Sequence, residues 1–362
     1  MKKHLIAAAV VSVFAAPAMA QNVTIYGNVD YGTQRYDNGT DSYVRSTSGA
    51  LATSRLGFRG TEDLGGGLKA NFMLQGELNM SSAEVTANNT SSEAGAFGFN
   101  EEAWVGLAGS FGEIRIGRTD ITSAEGLDTT VSQMGNLGNS PSIGGFNATA
   151  SNSNHVNGEL GGNMPNVIRY ISPSFNGLSV QLGLGQRNAR TTTTDVGAKI
   201  QSIAARYDIG GLSLHAGQTV QKATSTAGTE RAHNVYAASY NAGFASFGAY
   251  YSKSDQNYSA VANPIGTDTA DVERTMITAK VPLSGGVALH AGLFSAKVEN
   301  SDDKGDGYTV AVTKALSKRT STYAAYSQAQ SKGGASFSIT GLSAPAADQK
   351  TSGLTVGVQH SF

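Results

Sequence analysis

Apolar and polar side chains take turns at every second residue over most of this chain. Beyond its N-terminal leader they nowhere run together for the roughly 20 apolar residues that a membrane helix needs. In the closing stretch LTVGVQHSF, Leu354, Val356, Val358, His360 and Phe362 fall on one parity, and Thr355, Gly357, Gln359 and Ser361 on the other. A two-residue period puts one set on each face of a strand. A strand that reaches the last residue has backbone groups and an aromatic ring that need partners, so another strand must lie beside it.

The same alternation recurs in VTIYGNVDYG, where Val23, Ile25, Val29 and Tyr31 oppose Thr24, Asn28 and Asp30. It recurs in LKANFMLQGELNM and in GLSVQLGLG, each with one apolar and one polar face. Seven connections are short and rich in glycine or polar residues: 62–67, 108–112, 172–177, 207–211, 240–244, 281–286 and 315–319. Eight others are long and polar, near 35–54, 80–100, 119–166, 187–199, 221–232, 253–272, 297–307 and 329–350. The two kinds alternate, and fifteen connections imply sixteen strands.

An even number of strands, short turns at one end and long loops at the other predict an all-β fold. The prediction is a 16-stranded antiparallel transmembrane β-barrel with short periplasmic turns and long extracellular loops. Closure pairs LTVGVQHSF with VTIYGNVDYG and leaves no open edge in lipid. A soluble sandwich or propeller explains neither the alternation of long and short connections nor charged residues such as Arg55, Glu77 and Arg169 in mid-strand. A barrel of about 16 to 18 strands is too wide for side chains to fill, which predicts a water-filled lumen.

The leader fits export. Lys2, Lys3 and His4 precede an apolar run from Leu5 to Ala16 and the small-x-small site Ala18-Met19-Ala20, so residues 1–20 are expected to be a cleaved signal peptide and 21–362 the barrel domain. The remainder carries 24 basic against 27 acidic side chains and no cysteine. That balance speaks against nucleic acid as a partner, and a chain without cysteine needs no disulfides beyond the inner membrane.

The segments VTIYGNVDYG, SRLGFRGTEDLGGGLKA, AWVGLAGSFGEIRIGR, IRYISPSFNGLSVQLG, YAASYNAG, ALSKRTSTYAAYS and VGVQHSF, in this order, resemble the general porins of Gram-negative outer membranes, particularly the beta-proteobacterial kind. The resemblance implies a homotrimer in the outer membrane, among lipid and lipopolysaccharide, passing small hydrophilic solutes. It also implies a third loop folded into the pore and a terminal Phe362 read by the outer-membrane assembly machinery.

A pore selects through its width and through the field of inward charges at its narrowest level. Parity against Leu56 and Phe58 turns Arg55 inward, parity against Ile114 and Ile116 turns Arg115 inward, and Arg169 is inward if Ile168 and Tyr170 face out. Arg118 has the outward parity of Ile116 but follows Gly117, where the strand is expected to end and the third loop to begin. Related porins carry a basic ladder at positions matched by Arg55, Arg118 and Arg169. In the third loop, Asp120, Glu125 and Asp128 are the candidate acids opposite it.

Rival chemistries find less support. His215 and His290 point inward by parity, His155 and His233 are assigned to loops, and His360 faces out near the short turns, which is no arrangement for a barrel hydrolase. DDKGDG at 302–307 has Lys304 where a calcium loop needs a ligand. No catalytic residue, cofactor or metal site is therefore expected. A channel specific for a sugar or an anion stays open as the alternative to general diffusion.

Overall fold

The computed structural model describes residues 23–80, 84–85, 98–120, 146–149, 163–190, 195–223, 230–257, 271–333, 336–339 and 348–362. The expected signal peptide, residues 1–20, lies outside them. Sixteen strands make the wall: β1 (Thr24–Asp37), β2 (Arg55–Gly65), β3 (Leu68–Asn79), β4 (Glu102–Gly109), β5 (Gly112–Asp120), β6 (Asn163–Ile171), β7 (Leu178–Arg190) and β8 (Asp195–Ile209), followed by β9 (Leu212–Ala223), β10 (Glu230–Asn241), β11 (Ser246–Asn257), β12 (Val272–Pro282), β13 (Val287–Val298), β14 (Lys304–Ala315), β15 (Thr320–Lys332) and β16 (Lys350–Ser361). Each pairs antiparallel with its neighbours in sequence.

The wall closes as the terminal alternation requires. β16 runs beside β1 from Ser361↔Asn28 to Ser352↔Asp37, so the last strand gives the first its second partner. Exposure along the strands is inverted relative to a soluble protein. On β13, Leu289 and Leu293 are 47% and 62% exposed on the outer face, while Ala288, His290 and Phe294 on the inner face are at most 8% exposed. All seven short connections fall where the sequence places them. One of the three two-residue turns, between β2 and β3, uses Gly65, Gly66 and Gly67 at φ of 85°, 61° and 82°, values that favour glycine.

The strands differ from expectation at the ends that carry the long connections. β1 continues to Asp37, and a short strand, Ser42–Ser48, descends inside the segment expected to be a loop at 35–54. β7 and β8 extend to Arg190 and from Asp195, and β9 and β10 to Ala223 and from Glu230. β6 starts at Asn163, β11 reaches Asn257 and β15 reaches Lys332. The reason is physical: in these strand ends polar residues occupy both faces, so the hydropathy alternation fades while the backbone ladder goes on. His233, assigned to a loop by its polar surroundings, accordingly sits in β10 on the inner face, 1% exposed.

Glycine on the inner face lets aromatic rings lie flat across a neighbouring strand. A Cβ on Gly357 of β16 would stand 2.3 Å from the Tyr323 hydroxyl and 2.5 Å from its ring. Two further short strands, Phe146–Thr149 and Ser336–Ile339, pair with each other and join the third long connection to the eighth.

Candidate functional site: charges on the inner wall

β2, β5 and β6 carry the predicted arginines. Arg55 opens β2, opposite Asn28 of β1 and Glu77 of β3. Its guanidinium Nη2 donates to Glu101 Oε1 at 2.9 Å, and the arginine side chain is 38% exposed against 15% for its partner. A pair this open adds less than about 1 kcal/mol to stability, so its consequence is aim. Gln75 Nε2 donates to the other Glu101 oxygen at 2.7 Å, and Tyr26 Oη donates to Gln75 Oε1 at 2.8 Å, which fixes the carboxylate that holds Arg55.

Arg115 of β5 and Arg169 of β6 are direct cross-strand partners. Their neighbours Ile114, Ile116 and Ile168 are 39%, 54% and 52% exposed on the outer face, so both arginines point inward as parity predicts. Like charges placed opposite one another repel, and the wall offsets this. Glu113 Oε2 accepts from Arg115 Nη2 at 2.8 Å, while Asn71 Nδ2 donates to Glu113 Oε1 at 3.1 Å. The Arg115 guanidinium also lies 4.3 Å from the centre of the Trp104 ring, within cation–π range. Arg169 is 3% exposed and donates to Gln181 Oε1. It is thus shielded by the wall, whereas the side chains of Arg55 and Arg115 are 38% and 24% exposed.

Arg118 stands apart from the other three. β5 does not end at Gly117, which stands at φ 142°, but runs to Asp120 across a register shift whose extra residue lies on β6 between Met164 and Val167, where Asn166 takes φ 57°. Arg118 thus stays in register opposite Ala103 with the parity of Ile116, and its Nε donates to the Asn100 carbonyl. Asp120 donates its backbone N–H to Glu102 Oε1 at 3.1 Å. Asn163 Nδ2 donates to the same oxygen at 2.8 Å, so Glu102, 7% exposed, clamps the points where the third connection leaves β5 and enters β6. Glu125 and Asp128 lie outside the described residues.

Acids that the sequence reading did not assign to the site thus come from the wall: Glu77, Glu101, Glu102 and Glu113. Parity alone finds Glu113, two residues from Arg115, and Glu77, on the inner face of β3. Glu101 carries no such signal, since it precedes the first residue of β4.

His215 and His290 are inward and buried, at 4% and 7% exposure, as parity predicts. His290 Nε2 pairs with Thr313 Oγ1 at 3.0 Å. Among the described residues no group of three or more His, Cys, Asp and Glu side chains could hold a metal ion.

Residues 7–334 match the family model described as Gram-negative porin. Outer membrane porin protein 32 of Delftia acidovorans is 32% identical over the full length of both chains. Major outer membrane protein P.IB of Neisseria lactamica is 28% identical over 61% of this chain and 71% of its own. The solved anion-selective porin from Comamonas acidovorans superposes with a TM-score of 0.74 at 27% identity, covering 94% of this chain and all of that one. The chain belongs to the Gram-negative porin family, as a multi-pass β-barrel of the outer membrane.

Proposed function

We propose that this porin passes small hydrophilic solutes and ions by passive diffusion, and that Arg55, Arg115 and Arg169 set the field at its constriction. The observation that carries this reading is the placement of Arg55. Its guanidinium is partly open to the lumen and held by Glu101, on the same side of the wall as the Arg115–Arg169 pair. Fixed guanidinium groups at a narrow aqueous level favour anions and orient dipolar solutes, because side chains already braced by Glu101 and Glu113 need not reorganise as a solute passes. The similar porin from Comamonas acidovorans is anion-selective, which agrees with the sign expected here.

The same reading takes residues 1–20 as a removable export signal and the assembled protein as a homotrimer among lipid and lipopolysaccharide. It takes the third connection as an inward-folded constriction and Phe362 as the residue read during assembly. An aqueous conduit needs neither a cofactor nor a catalytic step. Phe362 suits its role in one respect: it is 46% exposed on the outer face at the short-turn end.

The test is the reversal potential under a salt gradient in planar bilayers. Arg55→Gln is expected to raise the permeability of cations relative to anions. A reversal potential identical to that of the wild type would remove Arg55 from the constriction.

A further inference from the structure

The route from the short strand Ser42–Ser48 into β2 contains more chain than the sheet uses. Ser48 sits opposite Tyr31 and Arg55 opposite Asn28, so seven steps on one side meet three on the other, and about four residues must leave the sheet. They turn inward. Ala50 is fully buried and clusters with Ala311 of β14 and with Tyr323 and Ala325 of β15, all on the inner face of the wall. Residues 49–54 therefore reach across the inner face of the closure seam.

Polar groups hold them there. Asp30 of β1 is fully buried, and its Oδ2 accepts the backbone N–H groups of Leu51 and Ala52 at 2.5 and 2.7 Å. Its Oδ1 accepts the Tyr323 hydroxyl at 2.7 Å, and Tyr323 lies in turn on Gly357. Ser54 Oγ accepts the Asp30 N–H at 2.9 Å and donates to the Asp30 carbonyl at 3.1 Å, while Gly49 N–H donates to that carbonyl at 3.0 Å. Asn28 Nδ2 donates to the carbonyls of Ala52 and Thr53, each at 3.1 Å. Four backbone groups of the segment, the N–H groups of Leu51 and Ala52 and the carbonyls of Ala52 and Thr53, are thus met by side chains of β1. Leu51, Ala52 and Thr53 remain half-buried, and the next residue after Ser54 is Arg55.

We propose that residues 49–54 are a second internal constriction element, supplied by the first connection and pinned by Asp30, which also positions Arg55 in the lumen. Asp30 is a positioning residue: its neutral donors come from the segment and from Tyr323, and it acts on the passing solute through them. The proposal rests on the channel reading of the lumen. It is independent of the selectivity assigned to the arginines.

The chain has no cysteine, so Ala52→Cys creates a unique thiol. Purified, reconstituted A52C channels are exposed to 2-sulfonatoethyl methanethiosulfonate while single-channel current is recorded and labelling is followed by mass. Covalent attachment is expected to lower the open-channel current in discrete steps. Complete labelling with unchanged current overturns the proposal. In parallel, Asp30→Ala is expected to raise both conductance and open-channel noise. Asp30→Asn keeps an acceptor oxygen for Leu51 and Ala52 and turns an amide toward Tyr323 Oη, so it is expected to behave as the wild type. An Asp30→Ala barrel that assembles with wild-type conductance and noise also overturns the proposal, and if that variant fails to assemble, A52C decides alone. An unchanged reversal potential in Arg55→Gln, by contrast, defeats the selectivity reading and leaves this element standing.

Discussion

At the closure seam the residue opposite Phe362 is a glycine, Gly27. Gly27 N–H donates to the Phe362 carbonyl at 3.1 Å, Phe362 N–H donates to the Gly27 carbonyl at 3.0 Å, and the Phe362 ring lies over Gly27. A methyl carbon there would stand 2.3 Å from ring carbon Cζ, 2.8 Å from Cε2 and 2.7 Å from the Arg55 carbonyl oxygen. Comfortable carbon contacts begin near 3.5 Å. The ring, 46% exposed, has room to swing outward. The Arg55 carbonyl has none, because it belongs to the β1–β2 ladder. Overpacking of this kind costs about 1–3 kcal/mol, and a split of the clash between ring and carbonyl puts Gly27→Ala near 2 kcal/mol, part of it recoverable by deleting the ring.

The assay is urea unfolding of refolded protein in lipid vesicles, read by the single tryptophan, Trp104, which is 8% exposed in the wall. Gly27→Ala is expected to lower the midpoint, and to lower it less in a Phe362→Ala background, a coupling of about 0.5 kcal/mol or more. An unchanged midpoint, or the same loss in both backgrounds, would refute the seat assigned to Phe362.

Two further outcomes follow from the wall. Leu293→Arg puts a charge among Ile277 and Tyr308 on the outer face; near the bilayer midplane this costs about 2–4 kcal/mol, so refolding yield and urea midpoint should both fall, and a neutral result would mean that this face does not meet lipid. Glu101→Gln removes the carboxylate that aims Arg55 and is expected to shift reversal potentials toward anions; a shift toward cations would show that the acid is not offsetting the arginine.

Strand number, turn positions and the facing of Arg55, Arg115 and Arg169 were all legible in the sequence, because an apolar surrounding on one side and water on the other impose a period of two, and the alternation of short and long connections marks the ends of a barrel. Legibility fails where that contrast fails. The upper part of β1, the strand Ser42–Ser48 and the start of β10 with His233 carry polar residues on both faces, and their composition is that of a loop. The end of β5 was read short for a different reason: Gly117 looks like a strand end, yet the strand continues to Asp120 across a bulge on β6. Glu101 precedes β4, and the clasp on residues 49–54 joins side chains of β1 to backbone groups, so neither leaves any trace in a hydropathy pattern.

The most direct test of a closed, water-filled barrel is single-channel recording of the purified, unheated protein in a planar bilayer. Ohmic steps in simple salt, closing in groups of three, are the result expected of an open lumen in a trimer. Folded protein that inserts into the bilayer and carries no current would contradict it.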